Sequence, residues 1–271
     1  MKRYLIIPYL TGQRRDGLGR VNDVSTHPWE LLDIPDFEEV AISDANEKLR
    51  RMGHIYALMA ENVRQVVLRG DRPVCIAGDC FSSLGMLAGL QKAGKQPDRI
   101  LWLDAHGDFH TWETTQTKYL GGMPLAILAG RQDRRRKKRD SIGALVETLG
   151  VTPFPEEKII LSDARDLDPG EKEALQNSNI RICKIEDIRQ YLSPDENLYV
   201  HFDTDIIDAR QDMPALKYHV RAGPTKEDIS VLFKSLRLCN IIAISVSAWH
   251  EEEDLDNKTA IACLNLLKEL E

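Results

Sequence analysis

The stretch Arg99-Ile-Leu-Trp-Leu-Asp104-Ala-His106-Gly-Asp108-Phe-His110 decides how the chain is read. Its first half is an apolar run ending in an acid, the pattern of a buried strand whose last residue leaves a sheet. Asp104, His106 and Asp108 then alternate, and in an extended chain residues i, i+2 and i+4 share one face. Carboxylates and an imidazole leaving one strand end on one face suit a divalent metal. A second stretch, Asn197-Leu-Tyr-Val-His201-Phe-Asp203-Thr-Asp205-Ile-Ile-Asp208, repeats the arrangement.

Outward from these two stretches, apolar runs and helical patterns alternate along the chain. Strands are expected at residues 4–10, 37–43, 74–79, 99–104, 158–161, 180–184, 198–202 and 240–248. Helices are expected at 44–68 and 81–93, from 124, after the stretch Asp163–Glu171 to about 176, from Thr225 as N-cap to 238, and at 258–270. Asp228 stands three residues after Thr225, in a capping-box position. Such alternation predicts an α/β fold: a single three-layer domain over residues 1–271, with a mostly parallel sheet covered by helices on both faces. In such sheets ligands gather beyond the carboxyl ends of the strands. Asp79, Asp104 and Asp203 all fall at such ends. The basic run Arg131-Gln-Asp-Arg-Arg-Arg-Lys-Lys-Arg139 reads as a solvated face.

Composition narrows the function. The 271 residues are 42% hydrophobic and 29% charged, as expected of a packed core, and the formal net charge is −7. An acidic balance argues against nucleic acid as the main partner. The five cysteines (Cys75, Cys80, Cys183, Cys239, Cys263) form no CxxC pair and no disulfide framework. Reduced thiols in the cytoplasm are therefore expected. The start of the chain lacks a signal-peptide apolar region, and no apolar run approaches the ~20 residues of a membrane span.

A carboxylate-rich set with one histidine is unlike a structural zinc site and suits Mn²⁺ or a related ion. Asp104, His106, Asp108, Asp203 and Asp205 are too many for one ion with an open position; two ions account for them better. Such a pair lowers the pKa of a water, which makes metal-assisted hydrolysis the expected reaction class. An anionic pocket favours a cationic substrate.

Asp104-Ala-His-Gly-Asp108 and Asp203-Thr-Asp205-Ile-Ile-Asp208 resemble the two metal motifs of the arginase/agmatinase (ureohydrolase) family. The resemblance continues in order through Ala77-Gly-Asp-Cys-Phe-Ser-Ser-Leu84, Leu120-Gly-Gly-Met-Pro124, Arg165-Asp-Leu-Asp-Pro-Gly-Glu171 and Lys258-Thr-Ala260. It implies an arginase-like fold and two Mn²⁺ per chain, with a bridging hydroxide that hydrolyses a guanidinium to urea and an amine. It also implies that Asp104 and Asp203 bridge the ions, that Asp108 completes the first and that His106 and Asp205 complete the second. Asp168 and Glu171 match positions that bind the substrate's α-amino group in the arginase branch. An arginine-type substrate is therefore expected, and a homo-oligomer as well.

The chain departs from the family pattern at specific places. Cys80 stands where the family has the remaining histidine ligand; a thiolate is a soft donor for Mn²⁺, so the first ion is expected to be the weaker. Gly121 stands where the family has a proton-shuttling histidine. His110, two residues beyond Asp108, is the expected substitute, so catalytic roles are expected of Asp108 and His110. His110, Thr117 and Tyr119 fall in the loop that reads the substrate carboxylate. Ser247 stands where the family has a glutamate that pairs with the guanidinium. These changes suggest an arginine derivative, or arginine within a peptide, as substrate. Two alternatives stay open: an amidine or formimino hydrolase on the same scaffold, and a degenerate member that binds a ligand or partner without catalysis.

Overall fold

Eight strands pair into one sheet in the computed structural model of the chain, which describes residues 1–32, 42–131, 141–211, 213–247 and 249–270. Its strands, in chain order, are β1 (Lys2–Ile7), β2 (Glu30–Leu31), β3 (Arg72–Ala77), β4 (Arg99–Asp104), β5 (Ile159–Asp163), β6 (Arg181–Cys183), β7 (Asn197–Asp203) and β8 (Asn240–Ser247). Across the sheet they run β2-β1-β3-β8-β7-β4-β5-β6, and every neighbouring pair is parallel.

Both faces of the sheet are covered, as near-continuous apolar strands require. Alternate strand residues divide between two cores. Ile7, Cys75, Trp102, Leu161 and Tyr199 face helices α1 (Ala45–Leu68), α2 (Ser82–Lys92), α3 (Pro124–Leu128) and α4 (Ser141–Leu149). Ile6, Ile76, Leu103, Val200 and Val246 face α6 (Lys226–Leu236) and α7 (Lys258–Glu269). The short α5 (Pro169–Gln176) adds Leu175 to the first core. This is the three-layer α/β architecture expected from the sequence.

Local chemistry sets the ends of these elements. Asp44 caps α1 by accepting from Glu47 N at 2.8 Å, and Leu49, Met52, Tyr56, Met59 and Val63 are buried at helical spacing. Thr225 and Asp228 form the expected capping box at α6. A Cβ on Gly78, just past β3, would lie 2.2 Å from the Tyr9 carbonyl oxygen, so only glycine lets the chain pass there.

Some expectations shift. The first strand ends at Ile7, because Pro8 cannot donate to the ladder, and Tyr9–Leu10 pairs antiparallel with Gln13–Arg14 in a hairpin. β2 escaped the sequence reading because it has two residues, both exposed. α4 escaped it because it follows directly on the basic run. The strand expected at 37–43 lies outside the described residues except for 42 and 43, and of the basic run only Arg131 lies within them. No helix among the described residues is long and apolar enough to cross a membrane.

Candidate active site

The carboxyl ends of β3, β8, β7 and β4 lie side by side in the middle of the sheet, and the loops that leave three of them form one pocket. β3 delivers Asp79 and Cys80, β4 delivers Asp104, His106 and Asp108, and β7 delivers Asp203 and Asp205. Backbone geometry aims these side chains. Asp203 caps a short 3-10 turn, accepting from Asp205 N at 2.9 Å, which turns Asp205 back toward β4. Asp104 Oδ1 accepts from His106 N at 2.8 Å, and Asp108 adopts a left-handed φ of 50°.

Two overlapping sets of side chains converge. In the first, His106 Nδ1 lies 3.4 Å from Asp104 Oδ1 and 3.3 Å from Asp205 Oδ2. In the second, Cys80 Sγ donates to Asp203 Oδ2 at 3.0 Å with Asp104 close by. Asp108 is buried beside both, and its Oδ2 has no hydrogen-bond partner. A buried carboxylate oxygen without a donor is one that a cation would satisfy. The donors are carboxylates and an imidazole, the set that holds Mn²⁺ and similar ions, so these residues fit a divalent metal.

The electrostatics agree. Burial and the Asp203 carboxylate raise Asp104; burial, Asp104 and Asp203 raise Asp108. Burial, with Asp205 adding, raises Asp203 to about 6, and burial with Asp104 raises Asp205. Burial pulls His106 down, but Asp104 and Asp205 outweigh it and hold it at about 12.

The wall opposite the strand ends comes from the loop after β4 and from the start of α5. His110 Nδ1 lies 3.1 Å from Thr114 Oγ1, and its Nε2 lies 3.4 Å from Asp168 Oδ2 and 3.9 Å from Glu171 Oε2. Glu171 is buried; its Oε1 accepts from Phe109 N at 2.9 Å, and burial raises it to about 7. Thr117 and Tyr119 line the mouth. A Cβ on Gly121 would meet the Tyr119 ring 2.3 Å away, so that ring fills the space a side chain at 121 would enter.

The pocket thus gathers Cys80, Asp104, His106, Asp108, His110, Thr117, Tyr119, Asp168, Glu171, Asp203 and Asp205. It does not gather Ser247. That residue ends β8 between Ala77 and Asp203 with its side chain fully buried and its Oγ without a partner, so the expected substrate contact is corrected to a packing position beneath the site. The acidic run after it does not reach in either. Glu251 pairs with Arg15 at 2.9 Å, and Asp254 accepts from Thr259 N and Ala260 N at the start of α7. Asp208 is held by Arg210 and Gly223 N. His201 is a core residue: it packs on Trp102 with ring centroids 4.0 Å apart, and burial lowers it to about 3. Trp102 in turn donates to Asp104 Oδ2 at 3.2 Å.

Sequence reasoning missed three pocket residues: Asp166, Lys217 and Tyr218. Tyr218 meets the His106 ring edge-on at 5.1 Å. Lys217 Nζ donates to Gly78 O at 2.7 Å. The only signal for Lys217 was the apolar segment before it, whose Met213, Ala215 and Leu216 are buried and pin its backbone.

The Arginase family model matches residues 14–270. The arginase of Bacillus subtilis (strain 168) is 26% identical over 270 residues, covering 92% of this chain and 86% of that protein. The arginase of Bacillus caldovelox is 29% identical over 248 residues, covering 85% and 75%. The solved native structure of the Bacillus caldovelox arginase matches with a TM-score of 0.77 at 25% identity, covering 100% of this chain and 98% of that one.

Proposed function

Since this chain belongs to the arginase family, we propose that it is a metal-dependent hydrolase that cleaves a guanidinium C–N bond of an arginine-type substrate, releasing urea and an ornithine-type amine. One observation carries the reading. Asp104, His106, Asp108, Asp203 and Asp205 converge from the ends of two neighbouring strands, with a buried Asp108 oxygen left for a cation. Asp104, His106 and Asp205, with Asp203 and Asp108 beside them, would hold Mn²⁺. A divalent ion there supplies Lewis acidity, which lowers the pKa of a water and makes a nucleophile available near neutral pH.

The remaining residues bind and orient. The Asp168 carboxylate and Glu171 Oε2 both face His110 Nε2, so together they make an anionic rim suited to a substrate ammonium. His110 is fixed through Thr114 Oγ1, which leaves Nε2 to hold or pass a proton. Thr117 and Tyr119 stand at the mouth, where an α-carboxylate or a peptide continuation would lie. The eight-stranded sheet with a core on each face supports reading the chain as one domain. The five free cysteines are consistent with a reducing cytoplasm.

Purified protein loaded with Mn²⁺ should release urea from at least one guanidino compound, and Asp104→Ala or Asp203→Ala should abolish the release. Absence of urea across free arginine, agmatine, other guanidino acids and Arg-containing peptides would sink the reading. Formamide or ammonia in place of urea would reassign the enzyme to amidine substrates.

A further inference from the structure

The chain leaves β5 through two strained residues in succession. Asp163 has a φ of 81° and Ala164 a φ of 30°, in the left-handed region that residues other than glycine rarely adopt. Such conformations persist only where the surroundings over-determine them, and they gather at functional sites. Here the surroundings are the loops that carry the acidic cluster. Asp163 pairs beside Asp104 at the sheet's edge of the pocket, Ala164 N donates to Asp104 O at 2.9 Å, and Asp166 N donates to Ala105 O at 2.9 Å. The strained turn therefore fastens this segment to the start of the Asp104–Asp108 loop, with Arg165 at its centre.

Arg165 reaches from there to the loop after β7. Its side chain is only 14% exposed, and all three guanidinium nitrogens are engaged. Nε donates to Arg221 O at 2.9 Å, Nη2 donates to Val220 O at 3.1 Å and to Asp205 O at 3.4 Å, and Nη1 pairs with the Asp163 carboxylate. The seat is tight, since a Cβ on Gly223 would lie 2.4 Å from Nη2. A rigid planar fork with five donors can hold three carbonyls and a carboxylate at once, which a compact ammonium does not match. Asp205 is gripped at both ends as a result. Its carbonyl accepts from Arg165, its Oδ1 accepts from Ala105 N at 3.4 Å, and its Oδ2 faces His106 Nδ1 at 3.3 Å.

We infer that Arg165 is a positioning residue for the metal site: it clamps the loop after β7 to the segment bound to Asp104 and Ala105, and so sets where Asp205 stands against His106 and Asp104. This rests on the reading of the cluster as a divalent-metal site. Arg165 acts through the backbone of Asp205 and not on the ion, so its loss misplaces a ligand without removing one. Side chains that orient metal ligands typically govern affinity by about 10–100-fold.

Metal affinity tests it independently of turnover. The metal-free full chain is titrated with Mn²⁺ by isothermal calorimetry, and thermal melts of the same metal-free proteins report folding. Arg165→Gln should bind Mn²⁺ about 10–100-fold more weakly than the wild type. Arg165→Lys should recover part of that loss, because it keeps the charge without the fork; it also decides the matter where Arg165→Gln does not fold. Arg99→Gln is the control. Arg99 begins β4 at the end away from the pocket and loses a two-point ion pair with Glu196, both contacts at 2.9 Å, so it should lower the melting temperature and leave Mn²⁺ affinity unchanged. Wild-type affinity in the folded Arg165 variants would overturn the inference and leave the metal reading standing. Equal weakening in Arg99→Gln would also overturn it, since the effect would then be general loosening. A wild type that binds no Mn²⁺ would overturn the metal reading and the inference with it.

Discussion

Asp108→Asn should make the metal-free protein more stable while weakening its response to metal. Asp108 is buried among Asp104, Asp203 and Glu171, and its Oδ2 accepts no hydrogen bond. Leaving a buried polar group unsatisfied costs about 1–3 kcal/mol, more for a charged one. An asparagine of the same shape removes one like charge and offers its amide as a donor to the neighbouring carboxylates. A chain of this size shifts by roughly 2–4 °C per kcal/mol, so the metal-free variant should melt about 2–12 °C above the metal-free wild type. Adding Mn²⁺ at a hundred times the dissociation constant should stabilise the wild type by about 2.7 kcal/mol. The variant should respond less, because it has lost an anionic ligand or neighbour of the ion. Thermal melts of both proteins, with and without Mn²⁺, measure all four values. A metal-free Asp108→Asn that melts at or below the wild type would refute the reasoning, since it would mean that the carboxylate is satisfied within the protein.

Gly78→Ala should destabilise by about 1–3 kcal/mol in a thermal melt, because the new Cβ would press on the Tyr9 carbonyl 2.2 Å away, held by a hairpin that cannot yield freely. Unchanged stability would mean that the hairpin moves. Glu156→Gln should cost about 1 kcal/mol at pH 7 and nothing in strong acid. Burial opposes the shift, but Arg131 and Asn179 N hold Glu156 below its ordinary 4.5, so its contribution is full above 4.5 and fades as pH falls through the lower folded value. Urea melts from pH 3 to pH 7 check this, and a wild-type advantage that persists in acid would contradict it.

The fold was legible because the strands carry it openly. Runs such as Arg99–Asp104 and Asn197–Asp203 are apolar along their length, as strands buried on both faces must be, and α1 and α6 announce their starts with capping side chains. The edge was not legible: β2 pairs only Leu5 with Glu30 and Ile6 with Leu31, too little to leave a periodic signal. Within the site, the alternation of Asp104, His106 and Asp108 survived because it depends on local backbone. Ser247 did not, because its position depends on where β8 sits between β3 and β7, which no spacing along the chain reveals. Lys217 was invisible for the same reason. It sits in a loop with no motif, and only the packing of Met213, Ala215 and Leu216 brings it to Gly78.

The departures expected from the family pattern come from three parts of the chain: Cys80 after β3, Gly121 in the loop after β4 and Ser247 at the end of β8, of which Cys80 and Gly121 line the pocket. Asp104 belongs to both sets of convergent side chains, with His106 and Asp205 in one and Cys80 and Asp203 in the other. At the mouth the Tyr119 ring fills the volume opposite Gly121. Reversal at 121 alone should therefore fail where a paired change succeeds. Gly121→His alone must collide with the Tyr119 ring, whose nearest atom would lie 2.3 Å from the new Cβ, so a histidine there is accommodated only together with a smaller residue at 119.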